Sequence, residues 1–109
     1  MSDSDTENVY SISFRIGDEG DSDDRYDDLT NLIEDEIEGL WWADTTSFYV
    51  KRTDLSITTF TRRLGEVINH KYDLVLVLDA YVKRGRVIGN PPKEELFDLL
   101  PYVKRITKS

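Results

Sequence analysis

An α+β domain, with helices laid on one face of an antiparallel sheet, is the fold class this sequence predicts. Tyr10, Ile12, Phe14 and Ile16 alternate with Ser11, Ser13 and Arg15, the period of a half-buried strand. Two later stretches repeat apolar residues every three or four positions, the period of an amphipathic helix. Between Asp73 and Asp79 runs Leu-Val-Leu-Val-Leu, which reads as an interior strand buried on both faces. In a single domain of 109 residues the economical solution packs such helices on one side of a sheet.

The elements follow in order. Residues 1–8 are polar and acidic without apolar periodicity, and read as a disordered tail before a single domain over 9–109. The first strand leads into GDEGDSDD (17–24), whose glycines and acids mark a solvated loop. Tyr26, Leu29, Ile33, Ile37 and Leu40 then form the stripe of a first helix. Asp23 or Asp24 is placed to cap it, and Gly39 begins its end. Trp41 and Trp42 sit at the turn into a second strand, where Thr46, Phe48 and Val50 alternate with Ser47, Tyr49 and Lys51. Asp54 and Ser56 are both caps for a second helix, striped by Ile57, Phe60, Leu64, Val67 and Ile68. After the apolar strand, Arg86, Val87 and Ile88 read as a further strand. Asn90 caps, and Pro91 or Pro92 opens, a short helix from Lys93 to Leu100. Tyr102, Val103 and Ile106 suit a terminal edge strand.

Ferredoxin-like βαββαβ is the nearest named arrangement. Its extra strand must come from a hairpin within 46–53 or from 81–88, and the second is favoured here.

Charge is distributed unevenly. Residues 1–45 hold fifteen acids against Arg15 and Arg25, a net of −13, and residues 46–109 hold seven acids against twelve bases, a net of +5. The sum is −8, which argues against broad nucleic-acid binding and leaves a basic face as a local contact for phosphates. The chain has no cysteine, so disulfides, thiol nucleophiles and Cys-based zinc sites are excluded. No apolar run approaches the ~18–20 residues that span a bilayer. The polar start is unlike a signal peptide, so a cytoplasmic protein without membrane contact is expected.

The opening strand Tyr10–Phe14 and the segment TTSFYVKRTDLSITTFTRRLGEVINHKYDLVLVLDA (45–80) together resemble the CRISPR-associated protein 2 family and its standalone relatives. Among those relatives are SinR-family proteins and GhoS-type antitoxins. The resemblance covers roughly residues 8–80. It implies a ferredoxin-like homodimer that joins sheets, often with a C-terminal strand crossing to the partner, which suits Tyr102 to Ile106. It also implies an Asp at the exit of strand one in nuclease members, where two copies share a divalent metal. Here that place reads Phe14-Arg15-Ile16-Gly17, and the first acid is Asp18. An arginine beside that position repels magnesium.

The remaining candidates are surfaces. The cluster of acids from Asp18 to Asp24 fails the spacing of a calcium loop. His70 falls at a helix end, where an imidazole caps carbonyls. Adjacent Trp41 and Trp42 point opposite ways, which makes one a core residue and the other an interface anchor. With Lys83, Arg84, Arg86 and Tyr102 they form the expected association surface. Asp27, Asp28, Asp35 and Glu38 on the first helix offer an acidic face to a basic partner. The sequence therefore reads as a non-enzymatic homodimeric interaction module without a cofactor. The alternative is a metal-dependent endonuclease or antitoxin-type endoribonuclease using Asp18 with Mg or Mn.

Overall fold

The computed structural model describes residues 8–90 and 92–107 of the chain. Among these, six strands form one sheet, in the order β2-β3-β1-β4-β5-β6. The strands are β1 (Asn8–Arg15), β2 (Trp41–Trp42), β3 (Phe48–Thr53), β4 (Leu74–Asp79), β5 (Gly85–Gly89) and β6 (Val103–Ile106). The helices are α1 (Ser22–Asn31), α2 (Ile57–Gly65) and α3 (Glu95–Leu99). None of the described helices is long and apolar enough to cross a membrane.

β1 lies at the centre, antiparallel to β3 and β4. Its alternation sends Tyr10, Ile12 and Phe14 to one face, level with Lys51, Tyr49 and Val77 on the flanking strands. Both long helices cover that face. The Tyr10 ring meets Phe60 of α2 at 5.3 Å between centroids, and Phe14 meets Tyr26 of α1 at 5.9 Å. Leu29, Ile33, Ile37, Ile57, Phe60 and Leu64 complete this core.

The sheet is mixed rather than antiparallel, because β6 runs parallel to β5. Residues 90–102 lie between them, long enough for the crossover a parallel pair needs. Both 81–88 and the tryptophan pair supply strands: β5 flanks β4, and Trp41–Trp42, expected as a turn, pairs with Lys51 and Val50 at the opposite edge.

Several boundaries shift for local reasons. Residues 1–7 lie outside the described part, but Asn8, expected in the tail, opens β1 and donates through Nδ2 to the Leu55 carbonyl. α1 starts after Asp21, and neither Asp23 nor Asp24 caps it. The helix then widens into a π-type turn over Leu32–Glu36, and Ile37 is already extended. The extended segment that follows is held by Lys51, whose buried Nζ donates to the carbonyls of Ile37 at 2.6 Å and Gly39 at 2.8 Å. Gly39 is required here: its φ is +129°, and a Cβ would collide with the Arg52 carbonyl. Ser56 caps α2 by accepting from the Thr59 amide, and His70 Nε2 lies 2.7 Å from the Gly65 carbonyl at its other end. α3 is shorter than expected. Asn90 does not cap it, but donates its side-chain amide to the Lys71 carbonyl. Pro91 lies outside the described residues.

Candidate interaction surface

The sheet face away from α1 and α2 carries Ser11, Ser13 and Arg15 of β1, Phe48 and Val50 of β3, and Leu74, Leu76 and Leu78 of β4. The cross-strand register sets Trp42 beside Val50, then Ser11, then Leu78. A second row runs Phe48, Ser13, Leu76 and Val87. The three leucines, Phe48 and Val50 are only half-buried, and Trp42 is 55% exposed. The expectation that β4 is buried on both faces is therefore corrected, since Val75 and Val77 are enclosed and the leucines are not.

α3 bounds this open face at the β5–β6 end. Arg105, next to Val87 in register, places its guanidinium 4.4 Å from the Phe97 ring and pairs with Glu94. Val87 and Val103 are buried beneath this cover. Leu99, two residues beyond Phe97 and so on the other side of α3, is 77% exposed. The profile of the face is thus a low apolar floor over β2, β3, β1 and β4, rising to a helical wall.

On the opposite side the buried charged groups are bonded, whereas the buried Thr61 hydroxyl of α2 has no hydrogen-bond partner among the described residues. Asp73 is fully buried and accepts from the Gly17 amide at 2.8 Å, the Asn69 amide at 2.7 Å and Arg25 Nε at 2.8 Å. Burial alone would raise its pKa. The bonds from Arg25 and from the two amides outweigh that, and hold the carboxyl below its usual range. Arg25 is correspondingly raised by Asp73, and it also bonds Asp21 and the Gly17 carbonyl. This clamp ties the exit of β1 to the start of α1 and the entry of β4. Lys51 is lowered by burial, with Asp35 opposing.

The residues expected at functional sites divide among separate surfaces. Asp18 lies in the exposed loop after β1. The carboxylate that does reach the strand-one exit is Asp73, whose oxygens are already bonded to Arg25 and two amides. Among the described residues no group of three or more His, Asp or Glu is placed to hold a metal. Trp41 and Trp42 are both exposed, at 39% and 55%, so neither is the core residue expected. As an edge strand β2 has a neighbour on one side only. Trp41 leans on Tyr49 on the helix side, 5.6 Å between centroids, and Trp42 faces the open floor.

Lys83 and Arg84 are exposed in the β4–β5 turn, at the far side of the sheet from the tryptophans. Arg86 points to the helix side and donates to Thr58 at 3.2 Å. Tyr102 is half-buried ahead of β6, which is paired with β5 of its own chain. Asp27, Asp28, Asp35 and Glu38 are exposed on the α1 side. Sequence reasoning missed the leucine ridge as a surface, although the Leu and Val alternation within β4 separates the two faces. It also missed the Arg25–Asp73 clamp, which leaves no spacing signal because its partners are 48 residues apart.

Compared with protein-family models, curated proteins and solved structures, the chain matches none of them.

Proposed function

We propose that this chain is a non-enzymatic homodimeric interaction module with a ferredoxin-like core. The observation that carries the reading is β4. Its sequence is that of a strand buried twice over, yet one chain buries it once, leaving Leu74, Leu76 and Leu78 on an open floor with Phe48, Val50 and Trp42. A second copy laid on this floor completes the burial.

Charge supports the same arrangement. The acids of α1 lie on the far side of the sheet, so two chains of net charge −8 meet through their least acidic faces. Asp27, Asp28, Asp35 and Glu38 then stay outward, open to a basic protein partner. The order β2-β3-β1-β4, with α1 between β1 and β2 and α2 between β3 and β4, supports the ferredoxin-like reading. It is also in keeping with the resemblance to the CRISPR-associated protein 2 family. The alternative, a metal-dependent endonuclease relying on Asp18, has no observation in its favour.

Light scattering at micromolar concentration, in low and high salt, tests the proposal. The expected mass is twice the 12.7 kDa of the chain in both, because apolar burial resists screening. A monomer throughout overturns it. A dimer that dissociates in salt moves the contact to the opposed acidic and basic surfaces.

A further inference from the structure

From the stepped profile of the open face we infer how the second copy is seated: α3 of each chain closes against the β2 edge of the other. The inference rests on the homodimer reading above and adds the register to it.

The argument is one of heights. Packed sheets lie about 10 Å apart, and a helix with its side chains is about 10 Å thick. α3 stands on the open face over β5 and β6, so it occupies the layer that a partner sheet fills over the neighbouring strands. The partner sheet cannot extend across α3 and must end beside it. A two-fold axis across the strands would set α3 on α3. One parallel to the strands exchanges the two ends of the face, so the strand that ends there is β2, the edge opposite β5 and β6.

That edge suits the contact. β2 has only two paired residues, and with the residue before it presents Leu40, Trp41 and Trp42, all exposed. Leu99, the most exposed large apolar side chain among the described residues, stands on the wall. Area points the same way. Three strands about 20 Å long and the two-residue β2, about 4.8 Å apart, offer roughly 300 Å² of floor in projection. A stable dimer covers about 800 Å² per partner. Contacts at the wall supply part of what the floor lacks, and they shield a sheet edge otherwise open to indiscriminate pairing.

Sedimentation equilibrium of the wild type, Leu99→Asp, Trp42→Asp and the double variant tests this, with circular dichroism to verify the fold. Both side chains are exposed, so the monomer tolerates the changes. Each single variant is expected to weaken the dimer by about tenfold or more, and the double variant by much less than the product. A second measurement exploits the lack of native cysteine. Chains carrying Leu99→Cys, mixed with chains carrying Asp44→Cys just after β2, are expected to form a disulfide-linked heterodimer under mild oxidation. A wild-type dimer unaffected by Leu99→Asp, with no heterodimer cross-link, overturns this seating and leaves the homodimer standing. A monomeric wild type overturns both.

Discussion

On the helix side of β4, Val75 and Val77 are wholly enclosed, whereas Leu74, Leu76 and Leu78 on its other side keep part of their surface. β1 differs in the same way. Tyr10, Ile12 and Phe14 meet the helices, while Ser11, Ser13 and Arg15 face outward. The helix side has the features of a finished core: interlocked rings, a buried lysine bonded to two loop carbonyls, and a carboxylate bonded to an arginine and two amides. The open side has apolar ridges on β3 and β4, a shallow trough of serines between them, and no second layer until α3. The comparison separates what stabilises one chain from what remains for association. One face is packed by the helices, and the other keeps partly exposed hydrophobic surface, which the proposed second copy would cover.

Neighbouring residues on β4 give the strongest way to break that distinction. Val77→Asp places a carboxylate in the enclosed layer beside Ile12. It is expected to cost more than about 4 kcal/mol, enough to lose the folded state, as read by urea denaturation. Leu76→Asp puts the same carboxylate on the open floor. It is expected to leave the helical signal intact and to yield a monomer by light scattering. If Leu76→Asp unfolds the chain as Val77→Asp does, the open floor belongs to the single-chain core and the comparison fails.

Next in size is the clamp that closes the helix side. Asp73→Asn removes the charge that Arg25 needs and puts an amide donor where two backbone amides donate. The expected loss is about 3 kcal/mol at neutral pH. The pH dependence has a definite sign. Asp73 has a lower pKa folded than unfolded, so between the two values the unfolded chain binds more protons. Its contribution is full above the unfolded value of about 3.9 and is lost as pH falls through the folded value. The acid limb of the stability curve should therefore be shallower in Asp73→Asn than in wild type. Equal limbs would remove Asp73 as the source of acid sensitivity. At the alkaline end Tyr10, pushed up to about 12 chiefly by burial and then by Asp79, acts in the other direction. Stability should decline as pH rises from 10 toward 12, with ionisation followed by tyrosinate absorbance.

The distribution of what was legible follows from the range of each interaction. Periodicity is local, so the stripe of α2, the alternation in β1 and the strand at Arg86–Ile88 can be read from neighbours a few residues apart. Ser56 as a cap is legible for the same reason. The parallel pairing of β6 is not, because it depends on the path of residues 90–102 rather than on their composition. The end of α1 escaped because Lys51, remote in sequence, holds the extended segment after it through the Ile37 and Gly39 carbonyls. Arg25 and Asp73 read as ordinary surface charges until the fold places one against the other. For the candidate surface, β4 announced two buried faces, and only the three-dimensional arrangement revealed that one face is just half-buried among the described residues.

The smallest effect in a single chain sharpens the comparison most, because it uses two adjacent copies of the same residue. Trp41 leans on Tyr49 on the helix side, and an aromatic pair of this kind contributes about 0.5–1.5 kcal/mol beyond area burial. Trp41→Ser should therefore cost about 1 kcal/mol in dilute, monomeric protein. Trp42, alternating to the open floor beside Val50, has no ring partner among the described residues. Trp42→Ser should change dilute-protein stability by less than about 0.5 kcal/mol. If the chain associates as proposed, the ranking should reverse at concentrations high enough for association, because the second copy would enclose Trp42 and the variant would forfeit that burial. Thermal melts at two concentrations a hundredfold apart make the test. A midpoint that rises with concentration in wild type and Trp41→Ser, but not in Trp42→Ser, assigns the two tryptophans to folding and to association in turn.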